Sequence, residues 1–174
     1  SSGGRLFSIV DMGSIAFVAA RPRWRLVARD AFSGVRLWER EVSPWEYHLR
    51  DFRSGPADLA RRLVAVEDRV YVTLGYGRAV SALDAATGET LQTYAGTKGT
   101  QEILYDAGTL LLVLGEPQED WPAEKAKEIV SQQDYHPPFE RNTPPARANQ
   151  VVAVMAETGE HLWVNAEAYT RELM

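Results

Sequence analysis

VARDAFSGVRLW (residues 27–38), SALDAATGETL (81–91) and VAVMAETGEHLW (152–163) are three copies of one phrase. Aligned on Gly34, Gly88 and Gly159, they place a small residue at Ala28, Ala82 and Ala153. Asp30 and Asp84 follow at matching positions, with Met155 as the exception. Ser33, Thr87 and Thr158 precede the glycines, and Leu37, Leu91 and Leu162 come three residues after them. The next position holds Trp38, Gln92 and Trp163. Self-similarity of this kind marks a stack of identical supersecondary units. Each copy reads as strand, turn, strand. Alternation such as Leu26, Ala28 and Asp30 against Val27 and Arg29 has the period of a strand. Asp, Ser/Thr and Gly then supply a tight turn, the first two by bonding nearby backbone N–H groups and the glycine by tolerating positive φ.

A second hairpin is expected before each phrase. LFSIVDMGSIAFVAA (6–20), RLVAVEDRVYVTLG (62–75) and EILYDAGTLLLVLG (102–115) read as strand pairs turning at Gly13, Asp68 and Gly108. Asp68 stands where glycine is expected, as one of the few other residues that enter the left-handed region readily. The unit is then four antiparallel strands, A to D, of roughly 40 residues, the size of a β-propeller blade. The fold class expected is all-β: an incomplete propeller of about three four-stranded antiparallel blades near 4–42, 60–96 and 100–166.

These residues resemble the A-x-D-x-x-T-G-x-x-x-W tryptophan-docking motif of the PQQ-like, or quinoprotein dehydrogenase-like, propellers. Ala82, Asp84, Thr87 and Gly88 match it with Gln92 in the tryptophan's place; Ala28, Asp30, Gly34 and Trp38 match it with Ser33 for Thr. Ala153, Thr158, Gly159 and Trp163 match it with Met155 for Asp. The resemblance implies that the indole stacks between neighbouring blades, and that Gln92 weakens the contact made by the middle one. It implies a periplasmic or secreted protein. Catalytic quinoproteins hold PQQ with calcium in the axial channel, typically beneath a disulfide of adjacent cysteines and beside an Asp base. This chain has no cysteine, and none of its residues can be matched to those ligands. No cofactor and no metal are therefore expected, and PQQ with calcium belongs only to the alternative of a quinone-dependent dehydrogenase. The preferred reading is a non-catalytic binding or protein-interaction scaffold, similar to the outer-membrane assembly lipoproteins that carry such repeats without the quinone. A sensor propeller attached to a catalytic domain elsewhere is a further alternative.

Other observations bound the function. A net charge of -5 over 174 residues argues against nucleic acid as a partner. No apolar run reaches about 18 residues, so no membrane-spanning helix is expected. Nucleophile-elbow and Walker motifs are missing, and GYGRAV (75–80) lacks the helix that phosphate binding needs. Three blades do not close a propeller. Further blades before Ser1 and after Met174, or self-association, are expected to complete it.

Turn spacing reveals two inserts. Gly13 to Gly34 and Asp68 to Gly88 are 21 and 20 residues apart, whereas Gly108 to Gly159 is 51; Gly34 to Asp68 is 34 against 20 for Gly88 to Gly108. The extra residues lie at 43–60 and 117–148. In an antiparallel blade the B–C loop and the D-to-A connector share one end, so both inserts should emerge on one face. Loops on a rigid scaffold are where binding residues concentrate. The candidate binding residues are Trp45, Tyr47, His48, Arg50 and Arg53 from one insert, and Trp121, His136, Phe139 and Arg141 from the other. Aromatics mixed with arginines suit a recognition surface, and the arginines suit another protein or an anionic ligand. The alternative is a plain connector with aromatics packed beneath it. Asp120 and Pro122 suggest a short helix over 122–132 within the second insert.

Overall fold

The computed structural model describes residues 2–13, 23–42, 59–75, 77–115 and 148–166. Its strands are β1 (Arg5–Asp11), β2 (Trp24–Asp30), β3 (Arg36–Glu41), β4 (Leu63–Val66), β5 (Arg69–Thr73), β6 (Val80–Asp84), β7 (Thr90–Thr93), β8 (Thr100–Asp106), β9 (Thr109–Gly115), β10 (Ala148–Met155) and β11 (His161–Asn165). They form three antiparallel sheets ordered β1-β2-β3, β4-β5-β6-β7 and β8-β9-β10-β11. The chain is an all-β, incomplete β-propeller. Among the described residues the one helical element is a 3₁₀ turn, Leu59–Arg62, leading into β4, and no helix is long and apolar enough to cross a membrane.

The middle sheet is covered on both faces, which is why β5 and β6 are buried almost throughout. Val70, Val72, Leu83 and Ala85 pack with Trp24, Leu26 and Val42 of the first sheet. From the opposite face, Tyr71, Val80, Ala82 and Tyr94 pack with Ile103, Leu110, Leu112, Leu114, Val152 and Val154 of the third. Successive strand residues point to opposite faces, so a run of consecutive apolar residues supplies two joints at once.

The phrase turns fall where the repeat places them: residues 31–33, 85–87 and 156–158 form turns, followed by Gly34, Gly88 and Gly159 at φ 73°, 76° and 79°. Each following strand carries a register shift, between Ala28 and Arg29, Ala82 and Leu83, and Ala153 and Val154 of its partner. The residue left over is the repeated leucine, Leu37, Leu91 or Leu162, and all three are exposed. A bulge re-aims the side chain of its extra residue, so this leucine faces outward by construction.

The first sheet departs from the expected four-stranded blade. β1 is hydrogen-bonded directly to β2, with Arg5 opposite Asp30 and Asp11 opposite Trp24. Gly13 therefore does not turn an A–B hairpin. In register, Arg5 opposite Asp30 corresponds to Arg69 opposite Asp84 and Thr109 opposite Met155, so β1 occupies the B position. The A–B turn lies earlier, at Gly3–Gly4, closed by the Ser2–Arg5 bridge. Gly4 accepts a hydrogen bond from Ala31 N, as Asp68 does from Ala85 N and Gly108 from Ala156 N. The sheet has three strands among the described residues. In the second A–B turn the left-handed residue is Glu67, at φ 52°, rather than Asp68; its counterparts are Gly3 at 54° and Ala107 at 42°. Two-residue hairpins demand positive φ at the first central position because that twist matches the flanking strands.

Candidate functional site

The repeated phrase builds a self-bonded turn. Asp84 Oδ1 accepts from Ala86 N (2.9 Å), Thr87 N (2.8 Å) and Thr87 Oγ1 (3.0 Å). Asp30 Oδ1 does the same for Phe32 N (3.1 Å), Ser33 N (2.7 Å) and Ser33 Oγ (2.8 Å). These donors favour the ionised carboxylate. Bonds from the Ser33 backbone and hydroxyl hold Asp30 below the usual carboxylate range, and those from Thr87 do so for Asp84. Met155 has no oxygen to offer the third turn, although Thr158 Oγ1 still accepts from Glu160 N at 3.2 Å.

The second and third turns are also the sockets for the preceding sheet. Trp38 Nε1 donates to Ala85 O across the first joint at 3.1 Å, and its ring lies over Gly88. A Cβ at Gly88 would stand 2.7 Å from Trp38 Cε3, so the socket requires glycine for space as well as for φ. Arg40 adds bonds to Gly88 O and to Thr90 Oγ1.

At the second joint the sequence has Gln92 where tryptophan is expected, and Gln92 lies against Gly159 in the same way. The missing indole donor is replaced by Tyr94, whose hydroxyl donates to Ala156 O. Ala156 is the third-sheet counterpart of Ala85, so two different side chains reach the same carbonyl in successive joints. Tyr94 is 1% exposed, and burial pushes its hydroxyl up to about 12. The motif does not contain Tyr94; the available signal was an aromatic donor two residues beyond the anomalous Gln92. His161 Nε2 lies 2.9 Å from Ala95 O and so joins the second joint from an exposed position. Trp163, on the outer strand of the third sheet, is 48% exposed.

The two ends of the sheets differ. The A–B and C–D turns are hydrogen-bonded to each other at one end of each sheet, and the joints hold neighbouring turns side by side. Chain leaves the opposite end after Val42, which is bonded to Trp24 O, and after Gly115, which pairs with Ala148. The described chain on either side of the inserts therefore lies at the sheet ends opposite the turns. Trp45, Tyr47, His48, Arg50, Arg53, Trp121, His136, Phe139 and Arg141 lie outside the described residues, as does the helix expected over 122–132.

At the turn end, a cleft of about 460 Å³ separates the second and third sheets, lined among others by Glu67, Asp68, Arg69, Tyr71, Tyr105 and Met155. The rings of Tyr71 and Tyr105 stack there at 5.8 Å and 18°, and burial raises the Tyr71 hydroxyl above its ordinary range. Among the described residues no three His, Asp or Glu side chains converge as a metal ion would need.

A family model described as outer membrane protein assembly factor BamB matches residues 5–165. Among solved structures, the chain is similar to BamB from Moraxella catarrhalis at 20% identity and a TM-score of 0.44, over 84% of this chain and 32% of that one. It is similar to a europium-containing methanol dehydrogenase at 14% identity and a TM-score of 0.47, over 93% of this chain and 23% of the other. A third similar structure is the quinohemoprotein alcohol dehydrogenase from Comamonas testosteroni, at 17% identity and a TM-score of 0.43, over 91% and 20%. In each case the chain spans a third or less of the solved protein's length. No curated protein sequence matches it.

Proposed function

From the chain's membership in the family of the outer membrane protein assembly factor BamB, a family of PQQ-like propellers, we propose that it is a non-catalytic propeller segment acting as a protein-interaction scaffold outside the cytoplasm. The observation that carries this reading is the extent of the family match, which runs through all three sheets, from residue 5 to residue 165. The repeated residues support it, because they serve the architecture: Asp30 and Asp84 close turns, Gly88 and Gly159 receive side chains, and Trp38 and Tyr94 bond across joints. Partner recognition is assigned to the two inserts, where the sequence departs from the repeat. Trp45, Tyr47, Trp121 and Phe139 supply rigid contact area, while Arg50, Arg53 and Arg141 supply bidentate donors for carboxylates.

Site-specific photocrosslinking in cells tests this. A crosslinker at position 47 or 139 should capture an envelope protein, and trimming 43–60 and 117–148 to tight turns should abolish the capture. Capture from position 86 on the turn end alone, or full retention of partners after trimming, would refute the assignment. Addition of PQQ and calcium should leave the visible spectra of protein and quinone additive; a new absorption band would favour a dehydrogenase.

A further inference from the structure

The two joints differ at the turn end. At the first, Ser2 Oγ donates to Glu67 O at 2.8 Å, and Arg5 lies close enough to Asp84 of the next sheet to favour its ionised form. By register, Arg5 corresponds to Arg69 and Asp84 to Met155. The matching A–B turns make Val66 the counterpart of Ser2. The second joint therefore loses both links, because Val66 has no hydroxyl and Met155 has no carboxylate. The cleft of about 460 Å³ lies at that place, and Val66, Arg69 and Met155 all line it. Both of its walls, the second and third sheets, belong to the described chain. Cavities of roughly 300–1,000 Å³ are the size that holds small molecules.

The lining carries charges of both signs that do not meet. Arg69 stands beside the Tyr71 hydroxyl, whereas Glu67, Asp68 and Glu157 are exposed turn residues at the rim. Among the described residues none of these four takes part in an ion pair. Arg69 keeps the position from which Arg5 faces a carboxylate, but the residue across the joint is a methionine. The stacked rings of Tyr71 and Tyr105, with Val66 and Met155, add an apolar wall.

We propose that this cleft binds a small zwitterion with an apolar body: a free apolar α-amino acid or a short peptide. The ligand's carboxylate takes the place that Asp84 has at the first joint and is held by Arg69, whose planar fork suits bidentate carboxylate recognition. Its ammonium group faces the acidic rim, and its side chain lies against the tyrosines and Met155. A ligand with both charges satisfies Arg69 and the rim together, which a simple anion or a simple cation does not. The site is separate from the protein partner assigned to the inserts and stands whether or not that assignment holds.

Isothermal titration calorimetry on the full chain, with L-phenylalanine as the probe, reads the result. L-Phenylalanine should bind saturably, and 3-phenylpropanoate and phenethylamine, each lacking one charge, should bind about tenfold more weakly or worse. Arg69→Gln should weaken L-phenylalanine binding to a similar degree. Met155→Asp gives the second joint the carboxylate that the repeat has elsewhere. It should weaken binding by about tenfold while raising the melting temperature, which separates occupation of the site from loss of fold. Phenylalanyl-alanine titrated beside L-phenylalanine identifies the source, the tighter of the two naming a peptide or a free amino acid. Absence of saturation by either in the millimolar range would overturn the proposal. Equal binding of the singly charged analogues, or a Met155→Asp variant that binds as wild type does, would do so as well.

Discussion

Gly88→Ala should cost more stability than the turn conformation alone explains. Gly88 has φ 76°, where an L side chain is disfavoured by about 1–2 kcal/mol. The added methyl group would also stand 2.7 Å from Cε3 and 2.8 Å from Cδ2 of Trp38, well inside the roughly 3.5–4.0 Å of carbon–carbon contact. Those atoms belong to the rigid fused edge of the indole, and the ring is tethered through Nε1 to Ala85 O. Relief therefore requires the ring to leave the joint or the two sheets to separate. Overpacking of this kind costs about 1–3 kcal/mol, which brings the expected loss to about 2–5 kcal/mol. Gly108→Ala isolates the conformational part, because its φ is 84° and its Cβ position is open; it should lose only about 1–2 kcal/mol. Urea denaturation of both variants, with the slope unchanged, measures the difference. Coincident midpoints would refute the socket, since they would mean that Trp38 does not confine the glycine.

The second joint predicts that Tyr94→Phe loses about 1–3 kcal/mol, because it strands the buried Ala156 carbonyl without its donor; an unshifted denaturation midpoint would end that role. The Tyr94 hydroxyl is raised from 10.0 to about 12, so its contribution is whole below pH 10 and is lost as pH rises through about 12. The stability gap between wild type and Tyr94→Phe should narrow over that interval, and a gap that stays constant would argue against the shift. Trp38→Ala should cost about 3–5 kcal/mol and Trp163→Ala distinctly less, because the latter indole is half exposed; equal melting points would contradict the docking geometry. Asp30 and Asp84 have lowered folded pKa values, so their stabilisation is present above the unfolded value near 3.8 and is lost as pH falls through the lower folded values. Asp30→Ala and Asp84→Ala should therefore draw level with wild type on acidification, whereas any difference caused by Met155→Ala should show no such convergence.

The C–D turns were legible because everything that makes them is local: Asp, Ser or Thr and Gly within five residues bond to one another, and Gly34, Gly88 and Gly159 all take the left-handed conformation. Pairing was less legible because alternation is symmetric about a turn. LFSIVDMGSIAFVAA is largely apolar on both sides of Gly13 and satisfies a hairpin there, yet the ladder with Trp24–Asp30 takes β1 instead, and Gly3–Gly4 supplied a turn signal at the right distance. Tyr94 shows the same limit at the joint. A motif compares residues at fixed sequence positions, where Gln92 looks like a loss. The joint requires only a donor that reaches the Ala156 carbonyl, and an aromatic hydroxyl two residues later on the same strand delivers one. Position 92 then needs only to lie against Gly159, which an amide does. A repeat can thus drift at its signature residue while keeping its interface, provided the hydrogen bond and the contact with glycine are shared between neighbours on one strand.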